Sequence, residues 1–166
     1  MKLKLIYIVL FAVLFSCSTS KHVAQEQKKN FIVGKTTWSE WLKKTKWDIV
    51  PTYEFYFPDK KKIQRISELM EGKNYSFVVF ATTSCEECKE YVPRAFKIFH
   101  ELGIDDDRIS LYGLDQNLEE PSKEYLKYDI PTTPCIFIEQ DGKVIAEISY
   151  PFLWLESFLE VFESQK

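Results

Sequence analysis

Apolar and polar positions follow two alternating periods from residue 53 onward. Short extended or continuous apolar runs, typical of strands, alternate with stretches whose apolar side chains recur every three to four residues, as on the buried face of a helix. The predicted strands are Tyr53–Phe57, Tyr75–Ala81, Arg108–Leu114, Cys135–Glu139 and Lys143–Ser149. The predicted helices begin at Asp59, Cys85, Pro121 and Pro151. The predicted order is therefore β-α-β-α-β-α-β-β-α.

This order indicates the fold class. Strands that are separated by helices pair in parallel, because the chain needs a crossover to return to the same edge. The turn Gln140-Asp141-Gly142 joins the last two strands as a hairpin, which adds antiparallel pairing. We therefore predict an α/β domain over residues 53–166, with a central mixed sheet flanked by helices.

Residues 31–52 lie outside this pattern and are predicted to be an N-terminal extension. Thr37 and Glu40 have the spacing of a capping box, which predicts a short helix. Trp38, Trp41 and Leu42 would share one face of that helix. We interpret the tryptophans as packing on the domain; the alternative is an aromatic surface for a partner.

The first sixteen residues are typical of a targeting segment. Lys2 and Lys4 precede Leu5–Phe15, an unbroken apolar run of eleven residues. At 1.5 Å per residue this run is too short to span a hydrocarbon core of roughly 30 Å. Residues 1–16 are therefore predicted to be a signal peptide rather than a transmembrane helix.

Cys17 follows this apolar run directly. A cysteine at this place, after a small residue, resembles the cleavage box of bacterial lipoproteins, and the resemblance implies a lipid on Cys17. Residues 17–30 are polar and aperiodic, which predicts a flexible tether. The chain is then expected in the cell envelope, anchored to a membrane and facing the periplasm or the exterior. The alternative is an ordinary signal peptide followed by an unmodified cysteine.

Composition and charge exclude several classes of protein. The chain is 45% hydrophobic, which is too apolar for a disordered protein, and its net charge of −3 argues against a nucleic-acid partner. Only two histidines are present, His22 and His100. So few histidines argue against a histidine-rich metal site and against most histidine-dependent hydrolases.

The candidate chemistry lies in Cys85-Glu86-Glu87-Cys88, which follows a predicted buried strand and opens a predicted helix. Residues three apart share one helix face, so the two sulfurs can close a disulfide. Free amides and the helix dipole at the helix N-terminus stabilise a thiolate on Cys85. Cys88 lies one turn further and suits a resolving role. The pattern at this position indicates a redox motif.

Three further features join this motif. Lys89 follows the pair, Pro93 lies five residues after Cys88, and Tyr128-Asp129-Ile130-Pro131-Thr132-Thr133-Pro134 precedes a predicted strand. Together they resemble the thioredoxin superfamily over residues 53–166. The resemblance implies a thioredoxin-like fold, Cys85 as nucleophile and Cys88 as resolving cysteine. It also implies a cis peptide bond between Thr133 and Pro134, with both residues facing the pair and binding the extended substrate chain. No cofactor and no metal are expected.

The chain departs from the family at three places. Ser84 stands where thioredoxin has Trp, Glu86-Glu87 replace Gly-Pro, and Val79 replaces a buried carboxylate that handles protons. Negative charge on Glu86 and Glu87 disfavours a thiolate on Cys85. We therefore expect Cys85 to be less acidic than in a strongly oxidising homologue, and the couple to be more reducing.

Cys135 is the third cysteine of the predicted domain and directly follows Pro134. We expect it near the pair, as a small buried side chain at the start of a strand. The alternative is a third redox thiol.

These observations favour a membrane-tethered thiol–disulfide oxidoreductase that acts on protein disulfides, as a reductase. Its partners would be client proteins with disulfides or thiols and an upstream electron donor. One alternative is a non-catalytic binding lipoprotein that retains the fold. Another is a copper-handling protein, which is disfavoured because His100, the one histidine of the predicted domain, lies on the same predicted helix as Cys88.

Overall fold

Five strands form one sheet in the structure, a computed structural model that describes residues 31–165. They are β1 (Gly34–Thr36), β2 (Tyr75–Ala81), β3 (Ile109–Gly113), β4 (Cys135–Gln140) and β5 (Lys143–Ile148), in the spatial order β1-β3-β2-β4-β5. The predicted signal peptide (1–16), Cys17 and the predicted tether (17–30) lie outside the described residues.

The sheet is mixed. β2 and β3 pair in parallel, whereas β1–β3, β2–β4 and β4–β5 pair antiparallel. In the centre, Val79 of β2 stands opposite Leu111 on one side and Ile136 on the other. The prediction of an α/β fold with a central mixed sheet is confirmed.

In the described part of the chain, residues 31–165, four α-helices accompany the sheet. They are α1 (Trp38–Thr45), α2 (Lys60–Met70), α3 (Glu86–Glu101) and α4 (Trp154–Ser164). The Asp59 carboxylate accepts hydrogen bonds from the first-turn amides of α2, and Thr37 and Glu40 form the predicted capping box of α1. Short 3₁₀ turns over residues 106–108, 124–127 and 151–153 complete the connections.

The two faces of the sheet are covered differently. All four α-helices contribute buried side chains to a main cluster on the face that carries Phe77 and Val79 of β2. The opposite face, with Val78 and Phe80, is covered by side chains from the segment 114–130. Because successive residues of a strand point to opposite faces, the nearly all-apolar sequence of β2 suits a strand covered on both sides.

The prediction of a strand over Tyr53–Phe57 is wrong. Residues Val50–Glu54 form a π-helical turn, and the segment lies outside the sheet. Tyr53 hydrogen-bonds His100 on α3, and the Arg94 guanidinium lies 5.6 Å from the Tyr56 ring centre. Of the aromatic residues that suggested a strand, Tyr53 and Tyr56 pack along α3 instead. Phe57 faces solvent.

Residues 31–52 are more than an extension of the domain. β1 is an edge strand of the same sheet, Trp41 is fully buried in the main cluster, and Trp38 stacks on Phe96 of α3 with ring centres 4.4 Å apart. The interpretation that these tryptophans pack on the domain is confirmed. The chain from Ile32 onward forms one compact unit, so residue 53 is not a structural boundary.

Within residues 31–165, none of the helices is both long enough and apolar enough to cross a membrane.

Candidate functional site

The two cysteines of the predicted redox motif lie where β2 leads into α3. β2 ends at Ala81, and Cys85 is the N-cap residue of α3. Its sulfur accepts a hydrogen bond from the Cys88 amide at 3.1 Å, which satisfies one of the free amides of the first helical turn. Cys85 is half-buried and Cys88 fully buried, and both are free thiols.

Hydrogen bonds make Cys85 acidic. The Cys88 thiol hydrogen-bonds the Cys85 sulfur and is the largest cause that lowers the pKa of Cys85, to about 6. Partial burial opposes this shift, whereas the backbone amides of Cys88 and Glu87 add to it. The Glu87 carboxylate raises the pKa, in the direction the sequence predicted, but the hydrogen bonds outweigh it. The net pKa of Cys85 therefore lies below that of an ordinary thiol.

Cys88 has the opposite character. Burial is the main cause that raises its pKa, and the neighbouring Cys85 raises it further. Two donors act against this: the Thr82 amide, 3.4 Å from the Cys88 sulfur, and the Thr133 side chain. The pair thus combines an accessible thiol that ionises near neutral pH with a buried thiol that keeps its proton.

The Thr133–Pro134 peptide bond is cis, as expected, and it lies beside the cysteine pair. The Cys85 thiol donates a hydrogen bond to the Thr133 carbonyl at 3.4 Å. Strand pairing explains this approach, because the antiparallel register sets Cys135, the first residue of β4, opposite Phe80 near the end of β2. The loop before β4 therefore meets the loop after β2.

Glu86 and Glu87 are exposed in the first turn of α3, where acidic side chains interact favourably with the helix dipole. Their side chains therefore lie on the exposed side of the turn that carries Cys85 and Cys88.

Cys135 packs away from the pair. Its fully buried side chain belongs to the cluster with Phe80 and Phe137, whereas Cys85 and Cys88 belong to the cluster on the opposite face of the sheet. Burial raises its pKa to about 12, with a smaller contribution from Glu147. The expectation of a small buried side chain is confirmed, but the expected position beside the pair is corrected: alternation along β4 turns this side chain to the other face.

Thr82 is a site residue that the sequence analysis did not single out. It follows β2 directly, its side chain is buried, and its hydroxyl lies 3.5 Å from that of Thr133. A small polar residue between a buried strand and the cysteine motif is the signal that marks it. Val79, at the position where the resemblance to the thioredoxin superfamily leads one to expect a carboxylate, is fully buried and apolar in the main cluster.

Among the described residues, no group of three or more His, Cys, Asp and Glu side chains is arranged to hold a metal ion. His100 lies near the C-terminal end of α3, where it bonds Tyr53 and approaches Asp106 to 3.8 Å. It is thus separated from Cys88 by three turns of helix.

No protein-family model matches the chain, and no curated protein matches it. A crystal structure of a protein of unknown function from Pseudomonas aeruginosa is similar at a TM-score of 0.38 and 9% identity, covering 79% of this chain and 99% of that chain. A likeness at this level carries no argument about the function of either protein.

Proposed function

We propose that this chain is a thiol–disulfide oxidoreductase with a thioredoxin-like fold, acting on protein disulfides outside the cytoplasm. One observation carries the proposal: an accessible Cys85 with a pKa near 6 caps a helix beside the buried thiol of Cys88. The position of Thr133 and the cis Pro134 against Cys85 also supports it.

The reaction has two steps. The Cys85 thiolate attacks one sulfur of a client disulfide, so that a mixed disulfide forms and the other client sulfur leaves as a thiolate. Cys88 then loses its proton and attacks the Cys85 sulfur. The Cys85–Cys88 disulfide forms, the second client sulfur is released, and two electrons have passed to the client. An upstream donor must reduce the pair again.

Thr133 and Pro134 are proposed to bind the client. The Thr133 carbonyl already lies within hydrogen-bonding distance of the Cys85 sulfur. An extended client segment that pairs with the backbone here would bring its disulfide to Cys85. The chemistry needs no organic cofactor and no metal, because both electrons come from the two thiols.

We propose that the pair works as a reductase. In this class of protein a strongly oxidising couple has a nucleophile pKa of roughly 3.5, and a reducing couple one of roughly 7. The value of about 6 for Cys85 is nearer to the reducing end. Glu87 contributes, because its charge destabilises the thiolate and so the reduced form.

Anchoring is the part of the proposal that rests on sequence alone. A lipid on Cys17 would hold the chain on a membrane, facing the periplasm or the exterior. The expected outcome is that Cys17→Ser moves the protein from the membrane fraction to the soluble fraction. Ser18→Ala is the matched control and should stay with the membrane; retention of Cys17→Ser would contradict lipid anchoring.

A redox titration of the full chain tests the activity. The protein is equilibrated with dithiol buffers, and its free thiols are alkylated and counted by mass. We expect one reversible two-electron transition on Cys85 and Cys88, in the reducing range and far from the roughly −120 mV of a strongly oxidising couple. Cys85→Ser and Cys88→Ser should abolish the transition.

Two results would contradict the proposal. A pair without a reversible transition would indicate the non-catalytic binding lipoprotein instead. A midpoint near −120 mV would leave the oxidoreductase in place but reverse its direction.

A further inference from the structure

Two buried threonines surround the resolving sulfur. Thr82 and Thr133 are 6% and 8% exposed, so their hydroxyls are withdrawn from solvent. The Thr82 amide donates to the Cys88 sulfur at 3.4 Å, and the Thr82 and Thr133 hydroxyls are 3.5 Å apart. Hydrogen bonding by the Thr133 side chain also acts to lower the pKa of Cys88. The Cys88 sulfur therefore lies beside a small cluster of polar groups within the main core: the Thr82 amide and the hydroxyls of Thr82 and Thr133.

The second step of the proposed reaction needs these polar groups. Cys88 must become a thiolate to attack, yet its sulfur is fully buried and burial opposes charge. Fixed donors directed at an atom that gains negative charge stabilise it without having to reorganise, and such charge-assisted hydrogen bonds are the strong ones. The polar groups that contact this sulfur are neutral donors and the Cys85 thiol.

In the contact between the two threonine hydroxyls, either oxygen can be the donor. A Thr133 hydroxyl that donates its one proton to the Cys88 sulfur leaves its oxygen free to accept a hydrogen bond from the Thr82 hydroxyl. Hydrogen bonds arranged in such a chain strengthen one another.

We propose that Thr133 is a catalytic residue of the resolving step and that Thr82 is its positioning residue. The inference rests on the oxidoreductase proposed above. The Thr133 hydroxyl donates to the Cys88 sulfur as its charge develops, and the Thr82 hydroxyl holds the Thr133 hydroxyl in that direction. The family resemblance implies that the Thr133 backbone binds the client, and the side chain of Thr133 has a second role in this proposal.

The step balances in atoms and electrons. The Cys88 S–H bond breaks, and a bond forms between the sulfurs of Cys88 and Cys85. The bond between Cys85 and the client sulfur breaks and its electron pair stays on the client. The proton from Cys88 ends on that departing sulfur, so the client leaves as a thiol.

The test separates the two steps in one assay. Dithiobis(nitrobenzoate) is a disulfide whose released thiolate absorbs visible light. Attack by Cys85 releases one equivalent, and resolution by Cys88 releases the second. The full chain is used in its reduced form with Cys17→Ser throughout, so that Cys85 is the exposed thiol; a Cys85→Ser variant measures background release.

Thr133→Val keeps the shape of the side chain and removes its hydroxyl. We expect the second phase to slow about tenfold while the first phase stays within about twofold, because the lost hydrogen bond acts on the Cys88 thiolate. Thr133→Ser retains the hydroxyl and should restore the second phase. Thr82→Val should slow it less, because the Thr82 amide still donates.

Thr36→Val is the matched control, a buried threonine in β1 whose hydroxyl bonds Glu40 rather than a sulfur. It should leave both phases unchanged. If Thr133→Val fails to fold, Thr133→Ala removes the same hydroxyl with a smaller side chain.

Two results would overturn the inference while leaving the proposed function in place: an unchanged second phase in Thr133→Val, or equal slowing in Thr133→Val and Thr133→Ser, which would indicate packing. Failure of the proposed function has a different signature. The chain with both threonines intact would then release only one equivalent, or no more than the Cys85→Ser background, and the inference would fall with it.

Discussion

Two thiols separated by one helical turn differ in both exposure and charge. Cys85 caps α3 and collects hydrogen bonds to its sulfur, whereas Cys88 faces the main core. Hydrogen bonds to the charged form lower a pKa, and burial raises the pKa of a thiol. The position of each sulfur thus distinguishes the proposed nucleophile, Cys85, from the proposed resolving cysteine, Cys88.

The reactivity of Cys85 should follow its pKa. We expect its alkylation rate by iodoacetamide to rise with pH about a midpoint of about 6 and to level off above it, because the thiolate is the reacting form. Cys88→Ala removes the largest cause of the shift, so the midpoint should move upward. A midpoint near 9 in the unsubstituted protein would contradict the hydrogen-bonded geometry.

The same shift has a consequence for stability. Because the pKa of Cys85 is lower in the folded chain than the 9.0 of an ordinary thiol, the unfolded chain binds more protons between about pH 6 and 9. The free energy of unfolding of the reduced protein should therefore rise with pH across that window and fall as pH drops through about 6. Cys85→Ser is the control and should lack this pH-dependent part of the free energy of unfolding. The raised pKa of Cys88 acts in the opposite direction only above the pKa of an ordinary thiol.

At the scale of elements, the chain that leads into β1 and α1 passes very close to β3 at Gly113. Gly34 of β1 pairs with Gly113 of β3. A Cβ on Gly113 would lie 2.0 Å from the Ile32 carbonyl oxygen and 3.1 Å from Cζ3 of Trp41. Only a residue without a side chain lets the backbone before β1 pass here.

Gly113→Ala should therefore weaken this attachment. We expect the free energy of unfolding to fall by about 1–3 kcal/mol, as in other overpacked sites. We also expect the Trp41 side chain to become more exposed to water, which its fluorescence reports. Urea denaturation measures the first effect. Ser110→Ala in the same strand is the control, with a change of about 0.5 kcal/mol or less; an equal effect of both variants would contradict the close approach.

At the scale of the whole molecule, the sheet assembles the candidate site. The cysteines follow β2, whereas Thr133 and Pro134 precede β4, and about fifty residues separate them in the chain. The antiparallel register of β2 and β4 brings the two loops to the same edge. The fold thereby joins a helix N-terminus, which favours the thiolate, to the Thr133–Pro134 backbone, which we propose binds the client chain.

The unit that folds should begin before residue 53. A chain that starts at residue 53 lacks β1 and the fully buried Trp41. Loss of a buried tryptophan costs about 3–5 kcal/mol, so we expect this chain to be less stable than one starting at Phe31 by at least about 3 kcal/mol. Urea midpoints of the two chains measure the difference. Equal midpoints would show that residues 53–165 are a self-sufficient domain.

Features that depend on neighbouring residues could be predicted from the sequence. The capping box of Thr37 and Glu40, the cap at Asp59, the apolar run of β2 and the helix that starts after Cys85 all have local causes. Helix caps and apolar periods act within one or two turns, so their signals survive in the linear order of residues.

The remaining features depend on which segments meet. β1 is three residues long and has no period of its own, and the aromatic residues near Tyr53 pack on α3 instead of forming a strand. The approach of Thr82 and Thr133 to Cys88, and the turning of Cys135 to the other face, follow from strand register. Register and packing are settled by contacts between distant parts of the chain, because only there do the buried surfaces and hydrogen bonds that stabilise them form.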